Sequence, residues 1–144
     1  MKRLVTALFL AACLVPAASA ATPDNLQVHD AWIRWLPGKL PMAGYFRLTN
    51  TGKQAAILTN ASSAAYTRVM LHRSQRINGQ ESMQHVNRII AAPGKTLVFA
   101  PGGNHLMLME RRQEIAVGDH ITIRLHFADG TTVPVTFEVR GAAE

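Results

Sequence analysis

The chain has 144 residues, with fifteen Lys and Arg against nine Asp and Glu, six His, six Met and one Cys. That length suits one domain, its 48% apolar and 17% charged content excludes a disordered tail, and no apolar run reaches the ~18–20 residues that span a bilayer. A single cysteine excludes an internal disulfide, a Cys-x-x-Cys redox pair and a cysteine-based zinc site.

Residues 1–20 read as a secretory signal peptide. Lys2 and Arg3 supply the positive start, Leu4 to Val15 the apolar segment, and Ala18-Ser19-Ala20 a small-x-small cleavage site after Ala20. Leu10-Ala11-Ala12-Cys13 offers a second reading, a lipobox with lipid on Cys13, which a short apolar segment running on past the cysteine fits less well. Cleavage after Ala20 leaves residues 21–144 as one exported domain, expected in the periplasm. The leader carries two of the bases and no acid, so thirteen bases face nine acids and the net charge falls to +4. With few aromatics and scattered bases, nucleic acid is not the expected partner.

The remaining chain reads as short strands between turns. Val28 to Trp35 and Tyr45 to Asn50 are strand-forming, and Asn50-Thr51-Gly52 ends the second. Ala56 to Thr59 is a short apolar run, and Ala61 to Thr67 is the one place for a helical turn. Arg68 to Ile77 and Gln80 to Ile90 flank Asn78-Gly79, a strong hairpin signal. Leu97 to Ala100 runs into Pro101-Gly102-Gly103, a turn that lets backbone approach the strand beginning near His105 and ending near Glu110. Ile121 to Phe127 alternates, turns at Asp129-Gly130 and resumes from Thr132 to Val139. This pattern predicts an all-β domain, an antiparallel β-sandwich or small barrel. Trp32 and Trp35 cannot share a strand face, and Trp32 is the expected core anchor.

Four residues carry the chemistry. Ten residues lie between His72 and Met83, twenty-one between Met83 and His105, and His105-Leu106-Met107 is a His-x-Met. A two-residue turn at Asn78-Gly79 pairs Ile77 with Gln80, Ser74 with Met83 and His72 with His85, so His72 and Met83 are diagonal neighbours on one face. The same alternation puts His105, Met107 and Met109 on one side of their strand and turns Leu106 and Leu108 inward. Two imidazoles and two thioethers form a soft, neutral donor set. Such a set suits copper(I), or silver(I), above zinc, calcium or magnesium, and it lacks the thiolate of a blue-copper electron-transfer centre. Met also survives where a cysteine pair would oxidise. His29, His120 and His126 have no soft partner nearby and read as surface or structural.

The spacing His72-x10-Met83-x21-His105-x-Met107 resembles the copper motif of the periplasmic copper(A) chaperone family. Asp30-Ala31-Trp32-Ile33-Arg34, Ala43 to Asn50 and Pro101 to Met109 also resemble segments of that family, and the likeness runs from Val28 to Val139. The resemblance implies a cupredoxin-like, immunoglobulin-like β-sandwich, a small Greek-key barrel, with copper(I) at an exposed edge. It implies delivery to the copper sites of cytochrome oxidase, with a copper-accepting oxidase subunit or a Sco-type thiol protein as partner. A monomer is expected, although the sequence itself leaves the oligomeric state open. Met70 stands where the family commonly has an acid, and on parity it shares the face of His72. His85, Met70 and Met109 are the candidates for additional or supporting ligands. The chain stops at Gly141-Ala142-Ala143-Glu144 without a Met/His-rich tail, so one copper per chain is expected. No nucleophile motif or metalloprotease motif is present, which speaks against an enzyme. A metal-free adhesion or assembly module and a copper buffer without specific delivery remain the alternatives.

Overall fold

The computed structural model describes residues 23–142. The leader, Cys13, the cleavage site after Ala20 and the last two residues of the tail lie outside the described residues. Ten strands and no helix are found among the described residues: β1 (Leu26–Arg34), β2 (Met42–Asn50), β3 (Ala56–Ser62), β4 (Tyr66–Ile77), β5 (Gln80–His85), β6 (Ile89–Ala91), β7 (Thr96–Phe99), β8 (Asn104–Arg111), β9 (His120–Phe127) and β10 (Thr132–Arg140).

The strands follow one another as β5-β4-β8-β7-β2-β1-β10-β9-β3-β6, with β8 also pairing with β2. The sheet folds over on itself, so that β3 packs on β4 and β6 on β2 and β7. Period-two alternation explains which side chains fill the space between the two layers. In β9, Ile121, Ile123, Leu125 and Phe127 are buried and the residues between them face out. Phe46 stacks on Phe99 at 4.2 Å between ring centroids and meets Phe137 edge-on at 5.8 Å. Each such aliphatic or aromatic side chain contributes about 1.5–3 kcal/mol by leaving water, which lets the domain stand without a disulfide.

Four expectations need correction. Pairing is not wholly antiparallel, because β1 runs parallel to β10, with Ile33 opposite Val139, and β7 meets β8 in parallel at Phe99 and Asn104. The helical turn expected over Ala61 to Thr67 is a tight turn between strands. Ala61 pairs with Leu125 and Tyr66 with Arg111, leaving three residues between strands, and the Ser63 hydroxyl accepts from the Ala65 N–H at 3.3 Å. The run from Gln80 to Ile90 breaks at Val86–Arg88, because β5 pairs with β4 whereas β6 crosses to β3. Trp32 is not the core anchor. Ile33 points inward, which turns Trp32 and Arg34 outward. The chain leaves β1 after Arg34, so Trp35 swings in, packs against the core and donates its indole N–H to the Ile115 carbonyl at 2.9 Å.

Candidate metal centre

Three adjacent strands carry the site. The hairpin register is the one that Asn78-Gly79 dictates: Ile77 opposite Gln80, Ser74 opposite Met83, and His72 opposite His85. Asn78 and Gly79 have φ of 50° and 79°, the two left-handed residues of a tight hairpin turn. On its other side β4 pairs with β8, with His72 opposite His105 and Met70 opposite Met107. One antiparallel pair thus brings two histidines that are distant in sequence side by side. Leu71, Leu106 and Leu108 alternate into the core, so the His and Met side chains stand on the outer face of the sheet.

His72 is the centre of a row. Its ring lies 5.8 Å from that of His85 and 5.7 Å from that of His105, both edge-on. Neither ring nitrogen of His72 has a hydrogen-bond partner, although both are buried. Burial lowers its pKa below the usual 6.5, and the neighbouring His105 and His85 push it the same way. The ring is therefore held neutral, with a lone pair available.

His105 is prepared differently. It is only 4% exposed, and its Nδ1 lies 3.1 Å from the Gly103 carbonyl oxygen. A carbonyl only accepts, so Nδ1 carries the proton and donates. Nε2 is left as the bare nitrogen, buried and without a partner. The Pro101-Gly102-Gly103 turn supplies that carbonyl. Gly102 adopts φ 79°, and the same Gly103 oxygen accepts from the Ser74 N–H at 3.0 Å, tying the turn to β4.

Met83, His105 and Met107 line one cleft of about 270 Å³ on this face. Met83 is 54% exposed at its rim. Leu36 and Pro41, on the loop after β1, line it as well. Arg111 holds that loop by donating to the carbonyls of Leu36 and Gly38. Among the described residues no three His, Cys, Asp or Glu side chains converge as a metal site by themselves. A site here needs the thioethers, and the bare Nε2 of His105 beside Met107 and Met83 is the donor chemistry of a soft monovalent ion.

The supplementary candidates separate. His85 is exposed, opposite His72, at the outer edge of the row. Met70, cross-strand from Met107, lines a different recess with Tyr66 and Arg68, and Met109 stands opposite Arg68. Neither of these methionines lines the cleft of Met83 and Met107. His126 is engaged by Ser62 at 2.8 Å and Thr132 at 3.1 Å, while His29 and His120 are exposed. Sequence reasoning missed Arg34 and Tyr45, which also line the cleft. The signal was present, since alternation puts Trp32 and Arg34 on one face of β1, but only the β1–β2–β8 order brings that face to the histidines.

A family model described as "Putative lipoprotein LpqE-like" matches residues 26–139. The chain is 38% identical over 128 residues to "Putative lipoprotein Lxx21020" of Leifsonia xyli subsp. xyli, spanning 85% of this chain and 76% of that one. It is 31% identical over 98 residues to the uncharacterized protein RP573 of Rickettsia prowazekii, spanning 67% and 54%. Among solved structures, CuI-DR1885 from Deinococcus radiodurans matches with a TM-score of 0.60 at 30% identity, over 87% of this chain and 86% of that one. The copper-bound PCuAC domain from PmoF2 matches with a TM-score of 0.67 at 21% identity, over 81% and 93%. The second likeness is one of fold, and the fold is the expected cupredoxin-like, immunoglobulin-like β-sandwich.

Proposed function

The chain belongs to the LpqE-like family, and from that premise we propose that it is an extracytoplasmic carrier of copper(I), holding one ion with His72, Met83, His105 and Met107. One observation carries the reading: His105, whose buried Nε2 is bare, lines one cleft with Met83 and Met107, and the unpartnered, neutral His72, which does not itself line that cleft, stands opposite His105 across the β4–β8 pair. A soft donor set with a half-exposed methionine at the rim suits an ion that must be held and then surrendered. Copper(I) in the similar DR1885, and copper in the PmoF2 domain, support the same cargo here. The proposed destination is the copper site of cytochrome oxidase, reached directly or through a Sco-type thiol protein. The neutral His/Met donor set calls for no turnover, so the reading is a carrier and not an enzyme.

An anaerobic titration tests the cargo. Purified protein competes with a chromophoric copper(I) chelator, alongside Met83→Leu and Met107→Leu. One equivalent bound by the native chain and weakened in both variants supports the carrier; equal binding in all three, or none, overturns it. Mixing the loaded chain with a copper-free oxidase subunit domain tests the destination, with transfer expected. The lipoprotein descriptions of the family and of the Leifsonia relative favour a second reading of the leader, with lipid on Cys13. Cleavage after Ala20 and lipid attachment at Cys13 give different mature N-termini, which intact-mass measurement of the exported protein separates.

A further inference from the structure

Arg34 is the charged side chain of the cleft: it lines the same recess as Met83, His105 and Met107, and no acidic residue lines it. The guanidinium is held in place by aromatic faces. Its carbon lies 5.5 Å from the Tyr45 ring centroid and 5.9 Å from that of Trp32, and the two rings are 4.7 Å apart. Tyr45 in turn stands 6.4 Å from the His105 ring. Among the described residues the ion pairs engage Arg68, Arg76 and Arg140, and none engages Arg34. Its Nε is buried without a hydrogen-bond partner. Parallel pairing of β1 with β10 sets Arg34 beside Arg140, whose own charge is met by Glu138 at 2.8 Å.

A fixed cation beside a cleft that holds a cation works against retention. The same cation favours whatever brings negative charge to that spot. We infer that Arg34, mounted on Trp32 and Tyr45, receives the anionic donor of the acceptor, and that this donor is a thiolate. The inference rests on the copper(I) reading above. With neutral ligands, the bound ion and Arg34 present two positive charges to an incoming group. A thiolate is drawn to both by long-range attraction, whereas an uncharged donor bonds to the ion at contact but feels no such pull from either. Copper(I) is soft, which selects sulfur over a carboxylate. In the exchange the thiolate sulfur bonds to copper as one thioether sulfur leaves, copper stays monovalent, and a proton still on the incoming thiol passes to solvent. Arg34 is thus a positioning residue for handover.

Stopped-flow removal of copper(I) from the loaded full chain tests this with three probes. Bathocuproine disulfonate is an anionic diimine, neocuproine an uncharged one, and a synthetic Cys-x-x-Cys peptide supplies thiolate. Arg34→Gln is expected to slow removal by the disulfonate and the peptide about tenfold and to leave neocuproine unchanged, the scale of an electrostatic steering effect. Arg34→Lys, which keeps the charge, should restore most of the rate. Should Arg34→Gln fail to fold, salt decides on the native chain: added salt must slow the two anionic probes and spare neocuproine. Equal slowing of all three probes, or of none, overturns the inference and leaves the carrier standing. Failure of the native chain to take copper(I) overturns both.

Discussion

His72 and His105 face each other across the β4–β8 pair with their rings 5.7 Å apart, yet only His105 is oriented by a hydrogen bond from its ring to the backbone. One imidazole is fixed in orientation by the backbone, and the other is kept neutral by burial among its neighbours. A buried imidazole with no partner costs stability in the empty protein. The cost is recovered when a cation binds, so the ion should stabilise the fold.

That asymmetry sets a pH dependence. The pKa of His72 in the folded chain lies below the unfolded value of 6.5. Below that pH the unfolded chain takes up the proton first. Stability present above pH 6.5 is therefore lost as the pH falls towards the folded pKa. Protons also compete with the ion for the imidazoles, so the stabilisation by copper(I) should shrink over the same descent. Melting temperatures of empty and loaded protein from pH 8 to pH 5 should converge. Replacing His72 by Ala should flatten the slope of the empty protein, and an unchanged slope would assign it to another group.

The four methionines of this face should not be equivalent. Met83 and Met107 line the cleft with His105, whereas Met70 and Met109 do not. Met83→Leu and Met107→Leu should each weaken copper(I) binding by at least about tenfold, roughly 1.4 kcal/mol. Met70→Leu and Met109→Leu should change it by less than about threefold, under roughly 0.7 kcal/mol. Leucine is near in volume to methionine, so thermal unfolding should barely move in any of the four. A loss with Met70→Leu as large as with Met107→Leu would shift the ion along β4.

Asn50 tests the far end of the sandwich. It is fully buried, and its amide donates to the carbonyls of Gln54 at 2.7 Å and Ala91 at 3.0 Å, while its oxygen accepts from the Gly52 N–H at 2.9 Å. One side chain thus closes the turn after β2 and ties it to β6. Asn50→Ala leaves two carbonyls and one N–H without that partner and should cost about 1–3 kcal/mol for each buried group that water cannot reach. The melting temperature should drop by several degrees while copper(I) affinity in the folded protein stays unchanged. A shift in affinity would mean that this turn communicates with the cleft.

What the sequence disclosed follows from the range over which each signal acts. The β4–β5 register was legible because Asn78-Gly79 fixes a two-residue turn, and every pairing up the hairpin follows by counting. The inward Leu106 and Leu108 and the outward His105 and Met107 were legible because alternation is local. That β4 lies against β8, with His72 opposite His105, is a pairing between distant segments, which periodicity alone does not reveal. The parallel β1–β10 contact and the inward turn of Trp35 depend on where β1 ends in space. Arg34 entered the cleft for the same reason, through strand order and not through spacing.

The hairpin turn offers the last test, because it links a backbone angle to the proposed cargo. Gly79 has φ 79°, where side chains are strained, and a Cβ there would meet nothing within 4 Å. Gly79→Val is therefore a purely conformational insult, with no clash to confuse it, and should cost about 1–3 kcal/mol locally. β5 is an edge strand at one end of the sheet, paired only with β4, and its side chains contribute nothing to the buried core. Strain of that size can be relieved by loosening β5 while the sandwich stays folded. Met83 sits on β5, so the cleft would lose its rim methionine for part of the time. We expect nearly unchanged global melting, faster amide exchange confined to β5 and the end of β4, and a copper(I) affinity lowered about as much as by Met83→Leu. Combining Gly79→Val with Met83→Leu should add little to either alone, since both act on the same donor. Additive losses would show that the turn supports the site by some route other than Met83.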